Sequence, residues 1–272
     1  MEKIKHIQIY PTRRCDRGCL HCFGKLEHSF SKKTELSLDH VLDNLSSIEG
    51  AEVSISGSPG EPSQYPELLR LVRHLAAQHP SAIHIVTNMQ FCKTPQGAHD
   101  FIAKLKEAAS SIPLTFQASA GDMHAGIAPG EYYKSESRAK VGELRRLVAN
   151  FHKAATDNNV KHQFRVLVYS GDRRIFTPGG FSLQAEDSPT KEYVESLGVP
   201  IEKKGVYSAP LIHVCRTLDQ WRDLLSHGLG SGVDYTIDTS GSVYDHRDRN
   251  VGDLNREPLG AIHERCVKAR KE

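Results

Sequence analysis

Apolar and polar residues alternate along KHIQIYP (5–11), the two-residue period of a half-buried strand. From there strand-like and helix-like patterns take turns for most of the chain. SLDHVLDNLSSIE (37–49) carries Leu38, Val41, Leu42, Leu45 and Ile48 at helical spacing, with Ser37 in the capping position. EVSISG (52–57) predicts a strand ended by glycine, and YPELLRLVRHLAAQH (65–79) an amphipathic helix with Pro66 in its first turn. Strands are predicted at 82–88, 113–119 and 161–170, and helices at 97–111 and 137–155. This order predicts a parallel sheet with helices packed outside it.

The alternation blurs after residue 170. SGDRRIFTPGGFSLQAEDSP (170–189) is rich in Gly, Pro and charge and reads as a loop. A short helix (190–197) and a weak strand (204–213) follow. In DYTIDTSGSVYDHRD (234–248) two β-prone runs flank Ser-Gly, the pattern of a hairpin, and 257–270 predicts a closing helix. The softest boundary lies near 210–216. It divides the chain into a core, 1–213, and a C-terminal extension, 214–272.

Composition adds mainly exclusions. A net charge of +2 gives no reason to invoke nucleic acid or an anionic membrane surface. No apolar run is long enough for a signal peptide or a membrane span, so the expected location is the cytoplasm. In that reducing compartment the six cysteines are not expected to form a disulfide framework.

Three of the six, Cys15, Cys19 and Cys22, fall in CDRGCLHC. This spacing lets one loop fold three thiolates around one centre, and Gly18 permits a tight path. Arg13, Arg14 and Arg17 favour the thiolate forms. Thiolates suit zinc or an iron–sulfur cluster. A structural zinc site needs a fourth ligand, for which His21 and His28 are candidates. Three unrelated buried cysteines are the remaining alternative.

Cys15-x-x-x-Cys19-x-x-Cys22 after a first β-strand resembles the signature of the radical SAM superfamily. That resemblance implies a [4Fe–4S] cluster held by the three cysteines, with the fourth iron open to the amino and carboxylate groups of S-adenosylmethionine (SAM). Further segments match in order. ISGSPGEP (55–62) resembles the motif that ends the second strand, so Gly60, Glu61 and Pro62 are implied to meet the methionine amino group; Ser58-Pro59 is an expansion ahead of it. VTNM (86–89) resembles the third-strand ending, with Asn88 matched and Met89 where glycine is usual. FQASAGDMHAG (116–126) resembles the fourth-strand region, with Ser119 and Asp122 as candidates for the ribose. His21 lies where an aromatic residue meets the adenine. Arg165, on the fifth strand, is a candidate partner for the SAM carboxylate. The implied fold is α/β, a partial (β/α)6 TIM-type barrel with a small C-terminal β-hairpin and helix. Its sites lie at the C-terminal ends of the strands. The implied chemistry is reductive cleavage of SAM to a 5′-deoxyadenosyl radical that abstracts hydrogen from an unactivated C–H bond. A cellular reductant such as flavodoxin or ferredoxin is the implied partner.

The tail resembles a degenerate SPASM or twitch extension. YTIDTSGSVYDH (235–246) matches its strand pair, but Asp245-His246 stands where a cluster cysteine is expected. Cys215 and Cys266 are the tail's cysteines, so the expectation is no auxiliary cluster; a cluster completed by Asp245, His213 or His246 is the alternative. Without one, redox-neutral outcomes on a peptide or sugar-like natural product are favoured, namely epimerisation, rearrangement or addition; cross-linking is a further reaction that the resemblance implies. A thiol then quenches the substrate radical, and Cys92, Cys215 and Cys266 are the candidates. The rival readings are a radical SAM dehydrogenase with an auxiliary cluster and a non-catalytic SAM- or metal-binding regulatory protein.

Overall fold

The computed structural model describes residues 3–17, 19, 35–56, 60–127, 134–165, 189–198, 201–202, 234–245 and 249–269. Six parallel strands follow one another in the sheet in chain order: β1 (His6–Ile9), β2 (Glu52–Ile55), β3 (Ala82–Thr87), β4 (Leu114–Ser119), β5 (Lys161–Arg165) and β6 (Ile201–Glu202). On the other side of β1 the sheet continues through β7 (Tyr235–Ile237), β8 (Ser242–Asp245) and β9 (Asn250–Asp253). Among the described residues β6 and β9 are its two edges and the sheet is open, as the predicted partial barrel requires. The 204–213 strand and the 170–189 loop of the sequence reading fall outside the described residues, except Pro189, where a helix begins.

Parallel neighbours added in chain order need right-handed crossovers, and these put every connecting helix on one face. The helices are α1 (Leu38–Val41), α2 (Leu68–Ala77), α3 (Pro95–Ala109), α4 (Ser135–Asp157), α5 (Pro189–Ser196) and α6 (Leu259–Ala269). Their apolar stripes meet the inward half of each strand. Ile7, Ile9, Val53, Ile55, Ile83, Ile85 and Phe116 are buried against Leu71, Leu75, Ile102, Leu105, Leu144 and Phe151. Phe151 of α4 takes edge-on contacts from Phe116 and Phe164 at 5.8 and 5.7 Å, a geometry that adds to simple burial. α3 begins two residues before the predicted start because Thr94 caps it, its Oγ1 accepting from Gly97 N at 3.1 Å.

One predicted element is much shorter than its pattern. The 37–49 helix ends after α1, and Ser37 makes no side-chain cap. Leu38, Val41, Leu45 and Ile48 are all buried, so the periodicity tracked burial correctly. The chain leaves the helix after Val41 through a turn at 42–44, and Ser47, at φ 67°, is itself non-helical.

The hairpin of β7 and β8 was predicted, but its place was not. β7 pairs in parallel with β1, joined by Tyr10 N to the Ile237 carbonyl at 2.8 Å. Asp234 fixes the register from below, accepting from the backbone of Lys5 at 2.6 Å and His6 at 3.1 Å. Tyr235 and His263 of α6 hydrogen-bond at 2.9 Å within the core. β9, which the sequence reading missed, adds to the hairpin's far side.

The sheet face opposite the helices is polar. His6 Nε2 pairs with Ser54 Oγ at 2.8 Å, Gln8 Nε2 donates to Ser56 Oγ at 2.9 Å, and His84 Nδ1 pairs with Thr115 Oγ1. A closed barrel fills this space with branched apolar side chains; here the described positions build a lining. Burial holds the His84 and His162 pKa values below the usual histidine range. The unfolded chain therefore binds more protons than the native one as pH falls below the unfolded value of 6.5. Stability is full above that pH and declines as pH drops toward the folded values. Urea midpoints measured between pH 7.5 and 5 should fall with pH, and His84→Gln should make that fall shallower.

Candidate active site

The cysteine loop leaves the C-terminal end of β1, and its base is tied in three ways. Thr12 and Glu35 form an antiparallel bridge, Leu36 N donates to the Pro11 carbonyl at 2.8 Å, and Arg14 Nε meets Glu35 Oε1 at 2.8 Å. Tyr65 Oη donates to the Leu36 carbonyl at 2.7 Å and holds the returning chain. The exposed ion pair adds little by itself; the backbone bonds set the geometry.

Gly60 packs directly on this base. A Cβ at Gly60 would stand 1.8 Å from the Thr12 carbonyl oxygen and 2.6 Å from its carbon. Only glycine allows the end of β2 and the start of the cysteine loop to touch backbone to backbone. Glu61 N then donates to the Arg14 carbonyl at 2.8 Å.

Glu61 is 2% exposed. Its Oε1 accepts from Thr87 Oγ1 at 2.6 Å, Ser63 Oγ at 2.7 Å and Ser63 N at 3.2 Å, and its Oε2 from Asn88 N at 2.7 Å. Burial raises its pKa, and these donors pull the other way. The resemblance implied a partner for this carboxylate in the bound cofactor. Within the protein it already caps the 3-10 turn Pro62–Gln64 and fastens the end of β2 to the end of β3.

After β3 the chain turns through Met89 at φ 64°, ψ 20°, the left-handed conformation that explains why glycine is usual there. Asn88, 7% exposed, donates from Nδ2 to Cys15 Sγ at 3.4 Å, and its Oδ1 accepts from Gln90 N at 3.1 Å. Cys19 is buried and donates to the His124 carbonyl at 3.5 Å. Arg17 spans the same gap. Its Nη1 donates to the His124 carbonyl at 3.3 Å, and Gln90, with its amide oxygen turned toward Arg17, accepts from Nε at 2.6 Å. The loop is thus docked on the ends of β3 and β4 together. Ser119, 8% exposed, ends β4, and His124 Nδ1 accepts from Gly121 N at 3.3 Å just beyond it.

The structure brings Cys15, Cys19, Gly60, Glu61, Pro62 and Asn88 to one end of the sheet, with Ser119 at the neighbouring strand end. His21, Cys22 and Cys215 lie outside the described residues, and Asp122 and Arg165 are described in backbone only. Cys92 is fully buried in the 3-10 turn after β3, and burial drives its thiol pKa well up. Cys266 sits on α6, half-buried against the core. Asp245, where a cluster cysteine was expected, is 3% exposed. Its Oδ2 accepts from Arg249 Nη2 at 2.6 Å and Nε at 2.9 Å, and its Oδ1 from Arg249 N at 3.1 Å. The sequence reading gave no docking role to Thr87, Gln90 or Arg17. Thr87 and Arg17 lay inside the motifs examined, but only the fold shows what they reach.

An open parallel sheet, a cysteine loop at the end of its first strand and a Gly-Glu-Pro turn after its second are the arrangement that the sequence resemblance implied. The family model of the Radical SAM superfamily matches residues 9–167, and the chain belongs to that superfamily. Members of this superfamily use a [4Fe–4S] cluster and SAM. Among solved structures it is similar to HydG, a maturase of the [FeFe]-hydrogenase, at 15% identity and a TM-score of 0.40, covering 61% of this chain and 36% of that one. No curated protein matches. The residues present fit the cluster: two thiols stand beside an amide donor and a guanidinium, and thiolates are the usual iron–sulfur ligands.

Two substitutions test this junction. Gly60→Ala must push the Thr12 backbone away and should lower the iron bound per chain after reconstitution; full iron content would show that the loop yields. Glu61→Ala leaves Asn88 N and Thr87 Oγ1 buried without an acceptor, and should cost about 1–3 kcal/mol by urea unfolding.

Proposed function

We propose that the enzyme acts on a polar natural product, a peptide or a sugar-like molecule, seated on the helix-free face of the sheet. The observation that carries this is the lining itself. His6, Gln8, Ser54, Ser56, His84 and Thr115 form hydrogen-bonded pairs across β1–β4, below the strand ends that hold the cysteine loop. The pairs leave further donors and acceptors of the same groups to water, and an apolar substrate would strip that water without replacing it, which costs free energy. Hydroxyl or amide groups would replace the water they lose.

Cys15, Cys19 and Cys22 would hold the cluster. When bound, the cluster and SAM supply a hydrogen-abstracting radical by reductive cleavage of the C5′–S bond. Asn88 aims an amide donor at Cys15, and Arg17 shares the His124 carbonyl with Cys19, so a donor and a nearby positive charge favour the ionised, ligating forms. The carbonyls at the Gly60 end of β2 remain the fitting acceptors for the methionine ammonium, since Glu61 spends its carboxylate on Thr87, Ser63 and Asn88. Ser119, at the end of β4, would offer its hydroxyl to the ribose. The reading favours a redox-neutral outcome, because Arg249 engages both oxygens of Asp245 where a second cluster would need a ligand. A thiol donor is then to be sought at Cys215, since Cys92 is buried and Cys266 sits on α6, on the helix-covered side of the sheet.

Anaerobic reconstitution, reduction with dithionite and addition of SAM should yield 5′-deoxyadenosine and methionine, and Cys15→Ala should yield neither. Short peptides or aminosugars should raise the yield, and saturated acyl chains should not. Solvent deuterium should appear at a substrate carbon. No 5′-deoxyadenosine under any of these conditions would sink the reading; stimulation by acyl chains alone would sink the substrate class.

A further inference from the structure

We propose that Asn88 is a positioning residue for the cluster's electronics: its side-chain amide donates to the Cys15 thiolate and raises the reduction potential of the cluster that Cys15, Cys19 and Cys22 hold. This rests on the cluster ligation stated above, but not on the substrate. Three contacts fix the amide. Its backbone N is held by Glu61 Oε2 at 2.7 Å, its Oδ1 accepts from Gln90 N at 3.1 Å, and its Nδ2 lies 3.4 Å from Cys15 Sγ. Because an N–H already faces Oδ1, the amide presents its NH2 end to sulfur in the one orientation that satisfies both. The residue is almost wholly buried, so bulk water does not compete for the sulfur from that side.

The electrostatic consequence has a definite sign. Reduction adds one electron to the cluster and makes its thiolates more electron-rich. A donor aimed at a ligand sulfur stabilises the reduced form more than the oxidised one and moves the potential upward. Glu61 belongs to the same chain of contacts. Its buried carboxylate grips the backbone of Asn88, so the Gly-Glu-Pro turn sets how the amide meets the first cysteine. Neither the cysteine spacing nor the Thr-Asn motif shows this link, which joins residues 73 positions apart.

The test is a potentiometric titration of the reconstituted protein with dithionite, followed by the electron paramagnetic resonance signal of the reduced cluster. Asn88→Leu keeps the size and removes the donor. Asn88→Asp keeps an acceptor for Gln90 N and replaces the donor by a carboxylate. Both should bind as much iron and sulfide as the wild type and titrate at more negative potential. The Asp variant's potential should climb as pH falls and the carboxyl gains a proton, which a purely structural role would not produce. Full clusters at the wild-type potential in both variants would overturn the proposal. So would failure of both variants to hold a cluster, which would make Asn88 purely structural. A wild type that assembles no cluster would instead overturn the ligation on which the proposal depends.

Discussion

Glu61 is a carboxylate almost without exposure, and burial of such a group is costly unless its oxygens are satisfied. Four donors from two strand ends satisfy it. The bonds that offset desolvation are also the bonds that fasten the end of β2 to the end of β3. Next to it, Gly60 lets the same turn lie on the Thr12 carbonyl. Three strand ends are therefore held in one arrangement by a single buried charge and one absent side chain. The cysteine loop is hung on that arrangement, through Arg14 on one side and Asn88 on the other.

The rest of the sheet is consistent with an active site at its upper end. Connecting helices crowd one face and supply the apolar core, so the opposite face is free to be polar. Its hydrogen-bonded pairs are spaced by the two-residue period of the strands and lie directly beneath the cysteine loop. Stability and substrate contact thus fall to opposite faces of the same strands. Ile7 and Ile9 serve the core, and His6 and Gln8 serve the lining.

The C-terminal segment extends this plan. β7 adds to β1 as a further parallel strand, and the hairpin becomes part of the wall. Asp245 closes the β8–β9 turn through Arg249, an ionic clamp where the resembled extension carries a metal ligand. The carboxylate is buried and the guanidinium half-exposed, so the clamp serves chiefly to satisfy Asp245 and fix the turn.

Much of this protein could be read from residue order alone. Alternation placed β1 to β5, since a strand with one face in the core must alternate wherever it lies. Cysteine spacing pointed to a metal centre, because a three-thiolate loop demands that residue type, and the resemblance of Gly60-Glu61-Pro62 to a family motif pointed to the chemistry; the backbone approach at Gly60 appeared only in the fold. The length of α1 was not legible: apolar residues can keep one period of burial without staying helical, and the turn after Val41 separates the two only in the fold. Nor was the seat of the hairpin, because pairing of β7 with β1 is a contact between residues more than two hundred positions apart. The work of Glu61, Asn88 and Arg17 was hidden for the same reason. Residue identity limits what a side chain can donate or accept, and only the tertiary structure, by bringing strand ends together, decides which partner it meets.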